Sequence, residues 1–426
     1  MKKEYVMKKK VLAILVIFLI ATAVVFAAGA KEKKDANTIE IFSWWTAGGE
    51  ADGLDAMFKE FNKKNPELEI INATVAGGAG TNAKAVLATR MQGGNPPDTF
   101  QVHAGHELID TWVTTGFMEP ITYILRDAGF LDMFPADVID IISYQGEVYS
   151  IPVNIHRSNV MWYSPKLFAQ FNLQPPKTMD DFFHVAEVFK RNGIPALALG
   201  DNESWAATHL LESVILASLG PDRYRDLWNG KIKWNDPQVR EALTNYARMM
   251  EYTNRDHAAL ANMDAAGYVA EGKAAMNVMG DWAAGYYYSQ NFKQGEDWDW
   301  IPSPGTGGVF IMLSDSFGLP KNAPNRENVI KWLELCASKE GQDAFNPIKG
   351  SIPARIDGDR SKYDRYLNAA MDDFATDAIV ASVAHGAAIS EPWLTRVNDI
   401  MAAFTTDLDV DKATREFQAA ADRYAP

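Results

Sequence analysis

Strand and helix patterns alternate near the start of the chain, and this alternation constrains the fold more than any other feature. Residues 38–41 and 68–75 have the spacing of strands, and residues 99–102 form a third such run. Apolar residues recur at helical spacing over 54–61 and 82–91, between these runs. A strand–helix–strand order in so short a stretch predicts right-handed β–α–β units and a parallel sheet, and therefore an α/β fold.

A second α/β pattern follows residues 151–153. It has predicted helices near 179–191 and 238–252 and an aromatic cluster at 286–288. The chain has 426 residues, of which 47% are apolar, and this is enough to build two cores. We therefore interpret the second pattern as a second lobe, and two lobes of this kind place a ligand crevice at the carboxyl ends of their strands.

The first thirty residues have the layout of a secretory signal. A lysine-rich start precedes an uncharged apolar run at 11–28, and Ala28 and Ala30 give an A-x-A pattern before Lys31. Lipoprotein processing is excluded because the only cysteine is Cys336. We predict cleavage near Ala30 and an exported, periplasmic or extracytoplasmic product. The alternative is an uncleaved anchor, since about eighteen apolar residues are near the lower limit for spanning a bilayer.

The chain is acidic, with a formal net charge of −14. Removal of residues 1–30 takes away five lysines and one glutamate, which leaves 36 basic and 54 acidic residues and a net charge of −18. Such a surface excludes nucleic acid as a partner. Cys336 cannot form an internal disulfide, and its helical apolar context predicts a buried small hydrophobe rather than a reactive thiol.

Several short segments occur in an order typical of one protein family. They are PPD at 96–98, GEVY at 146–149, IP at 151–152, WYSPKLF at 162–168, PPKTMDDF at 175–182, GKAAM at 272–276 with Trp282, PSPG at 302–305 and SKEGQ at 338–342. The ordered set resembles the extracellular solute-binding proteins of carbohydrate ABC transporters, of which maltose-binding protein is a more distant relative. The chain looks most like the thermophile glucose and galactose binders of this family, through FSWWT at 42–46, DTFQVH at 98–103, NIHRSN at 154–159 and LSDSFG at 313–318.

The resemblance implies a two-lobed α/β fold, the periplasmic-binding-protein type II fold, with a hinge of three crossovers. We place the crossovers near Val153, Val309 and Gly350. The implied divisions are a signal peptide at 1–30, a spacer at 31–37, an N-terminal lobe of 38–153 and 310–350, and a C-terminal lobe of 154–309 and 351–426. Each lobe is therefore discontinuous in sequence.

A pyranose has an apolar face and a rim of hydroxyls, so its site needs an aromatic platform and polar side chains that donate and accept hydrogen bonds. Trp44 and Trp45 follow the first strand. Since neighbouring strand residues face opposite ways, at most one should point into the crevice, and core packing is the alternative for either. The resemblance implies that Trp282 stacks on the sugar, again with core packing as the alternative.

Gln101 and His103 lie two apart on a predicted strand, and they therefore share a face that is directed at the crevice. The resemblance implies that both bind sugar hydroxyls. Asp281 and Asp315 are the predicted carboxylate acceptors. The resemblance favours Asp315. The alternative for Asp281 is a cap on the helix that is expected to start at Trp282.

Three further polar residues complete the predicted ligand site. Lys349 and His385 match polar contacts of the family, with a solvated lysine and a structural histidine as the alternatives. Glu50 is expected to edge the same crevice. Trp205 and His209 are weaker candidates, for a second platform and a polar contact.

We expect no metal and no cofactor. The glycine-rich loop at 76–82 lacks the G-K-[ST] ending of a phosphate-binding loop, and we interpret it as a lead into the next helix. His103 and His106 lack the further spaced ligands that a metal site requires.

These observations predict the substrate-binding component of a carbohydrate ABC importer, which binds glucose, or else galactose or mannose, and closes about its hinge. We expect a monomer that catalyses no reaction, with the sugar and the membrane permease as its partners. An oligosaccharide-binding protein is the nearest alternative. Further alternatives are a tethered sensor protein and a secreted glycoside hydrolase with Asp281 and Asp315 as its carboxylate pair.

Overall fold

The computed structural model of the protein describes residues 36–77 and 80–426. The predicted signal peptide at 1–30 lies outside the described residues, as does most of the predicted spacer. Residues 39–426 form one compact unit. No helix in the described ranges is long and apolar enough to cross a membrane.

Strands and helices alternate along most of the described chain. The strands are β1 (Thr38–Ser43), β2 (Glu69–Thr74), β3 (Thr99–His103), β4 (Ser143–Tyr144), β5 (Glu147–Val148), β6 (Ser150–Pro152), β7 (His156–Arg157), β8 (Val160–Tyr163), β9 (Leu197–Ala198), β10 (Met276–Val278), β11 (Asp299–Pro302), β12 (Val309–Leu313), β13 (Asp315–Gly318) and β14 (Ala378–Ala381). The α-helices are Gly48–Lys64, Thr81–Gln92, Thr122–Asp127, Ala136–Ile141, Pro165–Gln170, Met179–Arg191, Trp205–Trp228, Pro237–Met250, Asn262–Ala270, Trp282–Ser289, Arg326–Ala337, Lys339–Lys349, Arg365–Thr376, Glu391–Asp407 and Val410–Tyr424. A π-helical segment spans Glu107–Val113.

The predicted strand–helix order at the start of the fold is confirmed. β1 and β3 pair in parallel, with Ile41 opposite Thr99. The polar and apolar alternation of β1 does not mark a half-exposed strand, because all six of its residues are buried. Glu40 tolerates this burial because Arg90 pairs with it, with Nη2 2.9 Å from Oε2. Both faces of the strand are therefore covered, as in a parallel α/β sheet.

The larger sheets gather strands that are distant in sequence. One sheet has five strands in the order β2-β1-β3-β13-β6, a second has the order β11-β8-β10-β9, and a third has the order β14-β12-β7. A separate apolar core lies among the helices Met179–Arg191, Trp205–Trp228, Pro237–Met250, Glu391–Asp407 and Val410–Tyr424. The helix at Met179–Arg191 begins at a capping box between Thr178 and Asp181.

Three short passages connect the five-stranded sheet to the rest of the fold. The chain leaves β6 for β7 through residues 153–155, and it returns from β12 to β13 at Ser314. A third passage follows the helix Lys339–Lys349, where Ile352 forms an antiparallel bridge with Ile155. The lobe limits given above stay a prediction. The passage at Ser314 lies after Val309, the position near which we placed this crossover, because Val309 begins β12.

Candidate ligand-binding site

A cavity of about 530 Å³ lies where the ends of β1 and β3 meet β7, β13 and the start of the helix Trp282–Ser289. Most of the predicted site residues line it, namely Trp44, Trp45, Glu50, His103, Trp282, Asp315, Lys349 and His385. Its wall also includes Gly77, Gly80, His156, Glu203, Trp205, Asn262, Met263, Tyr286, Ser289, Gln290 and Leu313. Residues that are up to several hundred positions apart in sequence therefore converge on one concave surface.

The two adjacent tryptophans take different roles. Trp45 is 1% exposed and packs against Phe317 and Phe345, at ring-centroid distances of 5.8 and 4.8 Å. Trp44 instead packs against His103, at 5.0 Å between ring centroids. A Cβ on Gly80 would lie 2.9 Å from the Trp44 ring, so the loop packs tightly against this side chain. The strand alternation thus directs Trp44 towards the cavity and most of Trp45 into the core.

Trp282 is half-buried and stands at the centre of an aromatic cluster. Its ring contacts Trp205 at 6.2 Å, His156 at 5.4 Å and His385 at 5.1 Å, measured between centroids. Lys349 Nζ lies 6.0 Å from the centre of the Trp282 ring. The cluster fixes the orientation of an aromatic surface at the cavity wall, and Trp205, a weaker candidate in the sequence, belongs to the same wall.

Asp315 lies at the start of β13 and is held by three side chains. Its Oδ1 accepts from Gln101 Nε2 at 2.8 Å, and its Oδ2 accepts from Asn154 Nδ2 at 2.8 Å. His156 Nε2 lies 3.3 Å from the same Oδ2. Burial acts to raise the pKa of Asp315, but the hydrogen bond and the charge of His156, with the charges of His103 and Lys349, outweigh burial and hold the pKa well below its usual range. The cavity therefore contains a fixed carboxylate.

Asp281 and Gln101 are placed behind the cavity wall. Asp281 is 0% exposed, pairs with His156 Nδ1, and accepts from the backbone N–H of Arg157 at 3.0 Å. Burial acts to lower the pKa of His156, but the charge of Asp281 and the hydrogen bonds to Asp281 and Asp315 raise it overall. Gln101 Oε1 accepts from the backbone N–H of Trp44 at 3.1 Å. Both residues are therefore positioned to hold the side chains and backbone that form the cavity wall. In the part of the chain that the structure describes, neither residue lines the cavity itself.

Lys349 and Glu50 form an ion pair at the edge of the cavity. Lys349 Nζ lies 2.9 Å from Glu50 Oε1, and the lysine side chain is only 2% exposed while the glutamate is 34% exposed. The alternative of a solvated lysine is therefore wrong. The buried ammonium adds a fixed positive charge and hydrogen-bond donors close to Trp282.

His103 is oriented from outside the cavity by a buried carboxylate. Its Nδ1 lies 2.8 Å from Glu107 Oε2, which also pairs with Lys84 Nζ at 2.7 Å. Burial acts to raise the pKa of Glu107, but the charges of Lys84 and His103 and their hydrogen bonds lower it to about 2. His103 Nε2 lies 3.7 Å from Asp315 Oδ1, so the ring is held beside the fixed carboxylate of the cavity.

His385 lines the cavity, whereas His209 lies behind it and is 0% exposed. Their ring centroids are 5.5 Å apart. Burial lowers the pKa of His209 to about 3, despite an opposing hydrogen bond from Ser158. Burial and the positive charges nearby also hold the pKa of His385 well below its usual range. Both imidazoles are therefore neutral at ordinary pH.

Sequence reasoning did not single out His156 or Tyr286 as lining residues. His156 follows the apolar run of β6 in the polar segment 154–159, and a polar run directly after a buried strand could have indicated it. Of the tyrosine cluster, Tyr286 lines the cavity, Tyr287 is buried, and Tyr288 Oη donates to Asp364 at 2.8 Å. The three side chains have different environments because successive residues of a helix point about 100° apart.

Comparison with known proteins identifies the family. Residues 47–343 match the family described as "Bacterial extracellular solute-binding protein". The chain is 37% identical over 428 residues to the uncharacterized ABC transporter extracellular-binding protein PH1214 of Pyrococcus horikoshii, covering 98% of this chain and 96% of that protein. The chain belongs to the family of bacterial extracellular solute-binding proteins. These are binding proteins of ABC transporters, not a family of enzymes.

Two further likenesses agree with this assignment. The chain is 29% identical over 409 residues to a probable sugar-binding periplasmic protein of Brucella suis, covering 93% of this chain and 94% of the relative. The fold matches the bacterial solute receptor AcbH with a TM-score of 0.81 at 16% identity, covering 91% of this chain and 98% of that one. The predicted two-lobed α/β fold of the solute-binding proteins is confirmed, and the chain is a substrate-binding protein of the ABC-transporter type.

Proposed function

We propose that this protein binds a monosaccharide in the cavity described above, as the substrate-binding component of a carbohydrate ABC importer. Glucose is the proposed ligand, with galactose and mannose as its alternatives. The observation that carries the proposal is the convergence of an aromatic surface, Trp282, with a fixed carboxylate, Asp315, and a buried ammonium, Lys349, on one cavity. The Brucella relative, described as a probable sugar-binding periplasmic protein, supports the ligand class.

The chemistry of the wall suits a neutral ring that carries hydroxyls. Trp44 and Trp282 offer aromatic faces for the apolar C–H surface of a pyranose. Asp315 accepts from hydroxyls and Lys349 donates to them, and charged partners form stronger hydrogen bonds than neutral ones. A sugar hydroxyl left unpaired in such a site costs about 1–3 kcal/mol, so the positions of these groups would discriminate between epimers.

Closure of two lobes over the ligand is the proposed mechanism. The helices Gly48–Lys64 and Trp282–Ser289 follow strands of different sheets, and they meet at a pair of glycines beside the cavity. A Cβ on Gly49 would lie 2.9 Å from the Cα of Gly285. We interpret this approach as the closed arrangement, with the passages at 153–155, at Ser314 and after the helix Lys339–Lys349 serving as the hinge.

Export and partners complete the proposal. Cleavage near Ala30 would release a soluble, monomeric binding protein, and its closed form would dock on the membrane permease. The Brucella relative is described as periplasmic, which supports an extracytoplasmic location. If residues 11–28 remained attached, the protein would act as a tethered receptor instead.

An oligosaccharide-binding protein is the alternative, and the position of Tyr286 in the ligand complex would distinguish the two. A tyrosine on the cavity wall closes a subsite for a second ring if its side chain stays in place, and it provides a further stacking surface if it does not. The receptor AcbH is described as having an exclusive preference for β-D-galactopyranose, a monosaccharide. The fold it shares with this chain accommodates a single ring in that protein.

Catalysis by Asp281 and Asp315 does not fit their placement. A glycosidase needs its two carboxyl groups to flank the scissile bond. Here both groups face the ring of His156, and Asp281 is 0% exposed. We therefore propose a binding role for Asp315 and a supporting role for Asp281.

Calorimetric titration of residues 31–426 with glucose, galactose, mannose, maltose and trehalose tests the proposal. Each mixture is then analysed for products by chromatography. Saturable one-to-one binding of a monosaccharide without turnover is the expected result. We expect a binding free energy of about −8 kcal/mol, which corresponds to a micromolar dissociation constant and suits both capture and release. Preference for a disaccharide would favour the alternative, and release of a monosaccharide from maltose or trehalose would contradict a binding role.

A further inference from the structure

A buried glutamate, Glu212, organises a polar network directly behind the cavity wall. Its Oε2 accepts from the backbone N–H groups of Val383 at 2.7 Å and Ala384 at 3.2 Å. Its Oε1 accepts from the hydroxyl of Ser382 at 3.0 Å and from that of Ser158. The side chain is 0% exposed, so these donors replace water around the carboxylate.

Each serine of this network also faces one histidine. Ser382 Oγ lies 2.8 Å from His385 Nδ1, and Ser158 Oγ lies 3.1 Å from His209 Nδ1. A serine hydroxyl has one proton to donate. If both serines donate their hydrogen bonds to Glu212, each serine oxygen can only accept a hydrogen bond from its histidine.

The direction of the hydrogen bonds then fixes both histidine tautomers. A neutral imidazole carries one proton, and here that proton must lie on Nδ1 to be donated to serine. Nε2 of each ring is left with a bare lone pair. Within the ranges that the structure describes, neither Nε2 has a protein hydrogen-bond partner, although both atoms are buried. His385 lines the cavity, and we infer that a ligand seated against this ring meets the free acceptor.

We propose that Glu212 is a positioning residue for ligand recognition, which holds His385 in the tautomer whose Nε2 accepts a hydrogen bond. The ligand group that meets His385 must then be a donor, such as a hydroxyl O–H, and an acceptor-only group is rejected there. The identity of the ligand as a sugar rests on the proposed function, but the tautomer of His385 does not. Glu212 therefore acts on specificity without touching the ligand.

The same cluster also has the residue types of a metal site, since ligating atoms of His209, Glu212 and His385 lie within 4.8 Å of one another. The hydrogen bonds argue for the network instead. Both Glu212 oxygens already accept from serine and backbone donors, and both Nδ1 atoms face serine oxygens. A metal ion would have to displace these contacts.

Nitrogen NMR of the histidine rings in the ligand-free protein tests the tautomer directly. The ring signals are assigned by comparison with the variants His385→Gln and His209→Gln. Both rings are expected to be neutral, with a protonated Nδ1 and an unprotonated Nε2. A proton on Nε2 of His385 would overturn the proposal, as would stoichiometric binding of added zinc that shifts both rings.

The variant Glu212→Gln tests the origin of the tautomer. Its single amide oxygen must accept from Val383 and Ala384, so its NH₂ group faces the serines and reverses their hydrogen bonds. The proton of His385 is then expected to move to Nε2. If Glu212→Gln does not fold, Ser382→Ala removes the link between Glu212 and His385, and Ser158→Ala is the matched control because it removes the equivalent link to His209. Each variant also takes one hydroxyl donor from Glu212. An unchanged His385 tautomer in both Glu212→Gln and Ser382→Ala would contradict the proposal.

Binding of modified sugars gives the functional readout. Each hydroxyl of the bound monosaccharide is replaced in turn by fluorine, which can accept weakly but cannot donate. At the position that meets His385, fluorine should weaken binding to the wild type by about tenfold or more, and this loss should shrink in Glu212→Gln. An equal loss in both proteins at every position would show that Glu212 has no part in specificity. Absence of all sugar binding with the expected NMR tautomer would contradict the proposed function alone.

Discussion

Replacement of Gly285 by alanine should block the approach of the helix Trp282–Ser289 to the end of the helix Lys339–Lys349. A Cβ at this position would lie 2.3 Å from the carbonyl oxygen of Lys349 and 3.1 Å from that of Ile348. Both atoms belong to the backbone, so no side-chain rotation can relieve the contact. Ordinary contact begins near 3.4 Å, so the helix Trp282–Ser289 must withdraw by about 1 Å.

The size of the effect follows from the cost of overpacking, which is about 1–3 kcal/mol. If this approach forms only when the lobes close, the cost falls on the ligand-bound state, and the dissociation constant for the sugar should rise about tenfold to a hundredfold. Calorimetric titration measures the affinity, and thermal unfolding of the ligand-free protein measures the stability. Gly307→Ala is the matched control, because in the described part of the chain no heavy atom beyond its own chain neighbours lies within 4 Å of the added Cβ. The reasoning is refuted if Gly285→Ala keeps wild-type affinity and instead lowers the melting temperature of the ligand-free protein.

Three further predictions concern the polar and aromatic groups around the cavity. Trp282→Ala should weaken sugar binding by about 2 kcal/mol or more in calorimetry, while Trp300→Ala, outside the cavity wall, should not. Asp281→Asn leaves the buried His156 without its charged partner and should lower the free energy of unfolding in urea by about 3 kcal/mol; a loss below about 1 kcal/mol would contradict the ion pair. Below about pH 6.5 the unfolded chain protonates His209 while the folded chain does not until the pKa of about 3, so this residue should make stability fall by about 1.4 kcal/mol per pH unit as the pH drops. His209→Gln should therefore flatten the pH dependence of urea unfolding between pH 6 and 4, and an unchanged slope would show that the ring is not buried and neutral.

Much of the fold could be predicted from local patterns. The helix at 179–191 has the bounds of its periodic apolar pattern, because Thr178 and Asp181 supply a capping box that fixes its start. Pairing between distant strands could not be predicted in the same way. The antiparallel contact of β13 with β3 and β6 joins segments far apart in sequence, and no local pattern encodes that register.

The site shows a similar division. The types of residue that line it were predictable from the chemistry of a pyranose and from the family resemblance. Which residues touch the cavity and which stand behind it was not, because Gln101 and Asp281 are turned away by specific hydrogen bonds to Asp315 and His156. Glu212 was invisible to sequence reasoning, since a glutamate inside an apolar helical pattern gives no sign that serines from two other segments converge on it.

A crystal structure of the protein with a bound monosaccharide tests the central claim most directly. We expect one pyranose in the cavity, with its apolar face on Trp282 and its hydroxyls within hydrogen-bond distance of Asp315, Lys349 and His385. A sugar bound elsewhere, or a second ring seated beyond a displaced Tyr286, would contradict the claim that this cavity is built for a single monosaccharide.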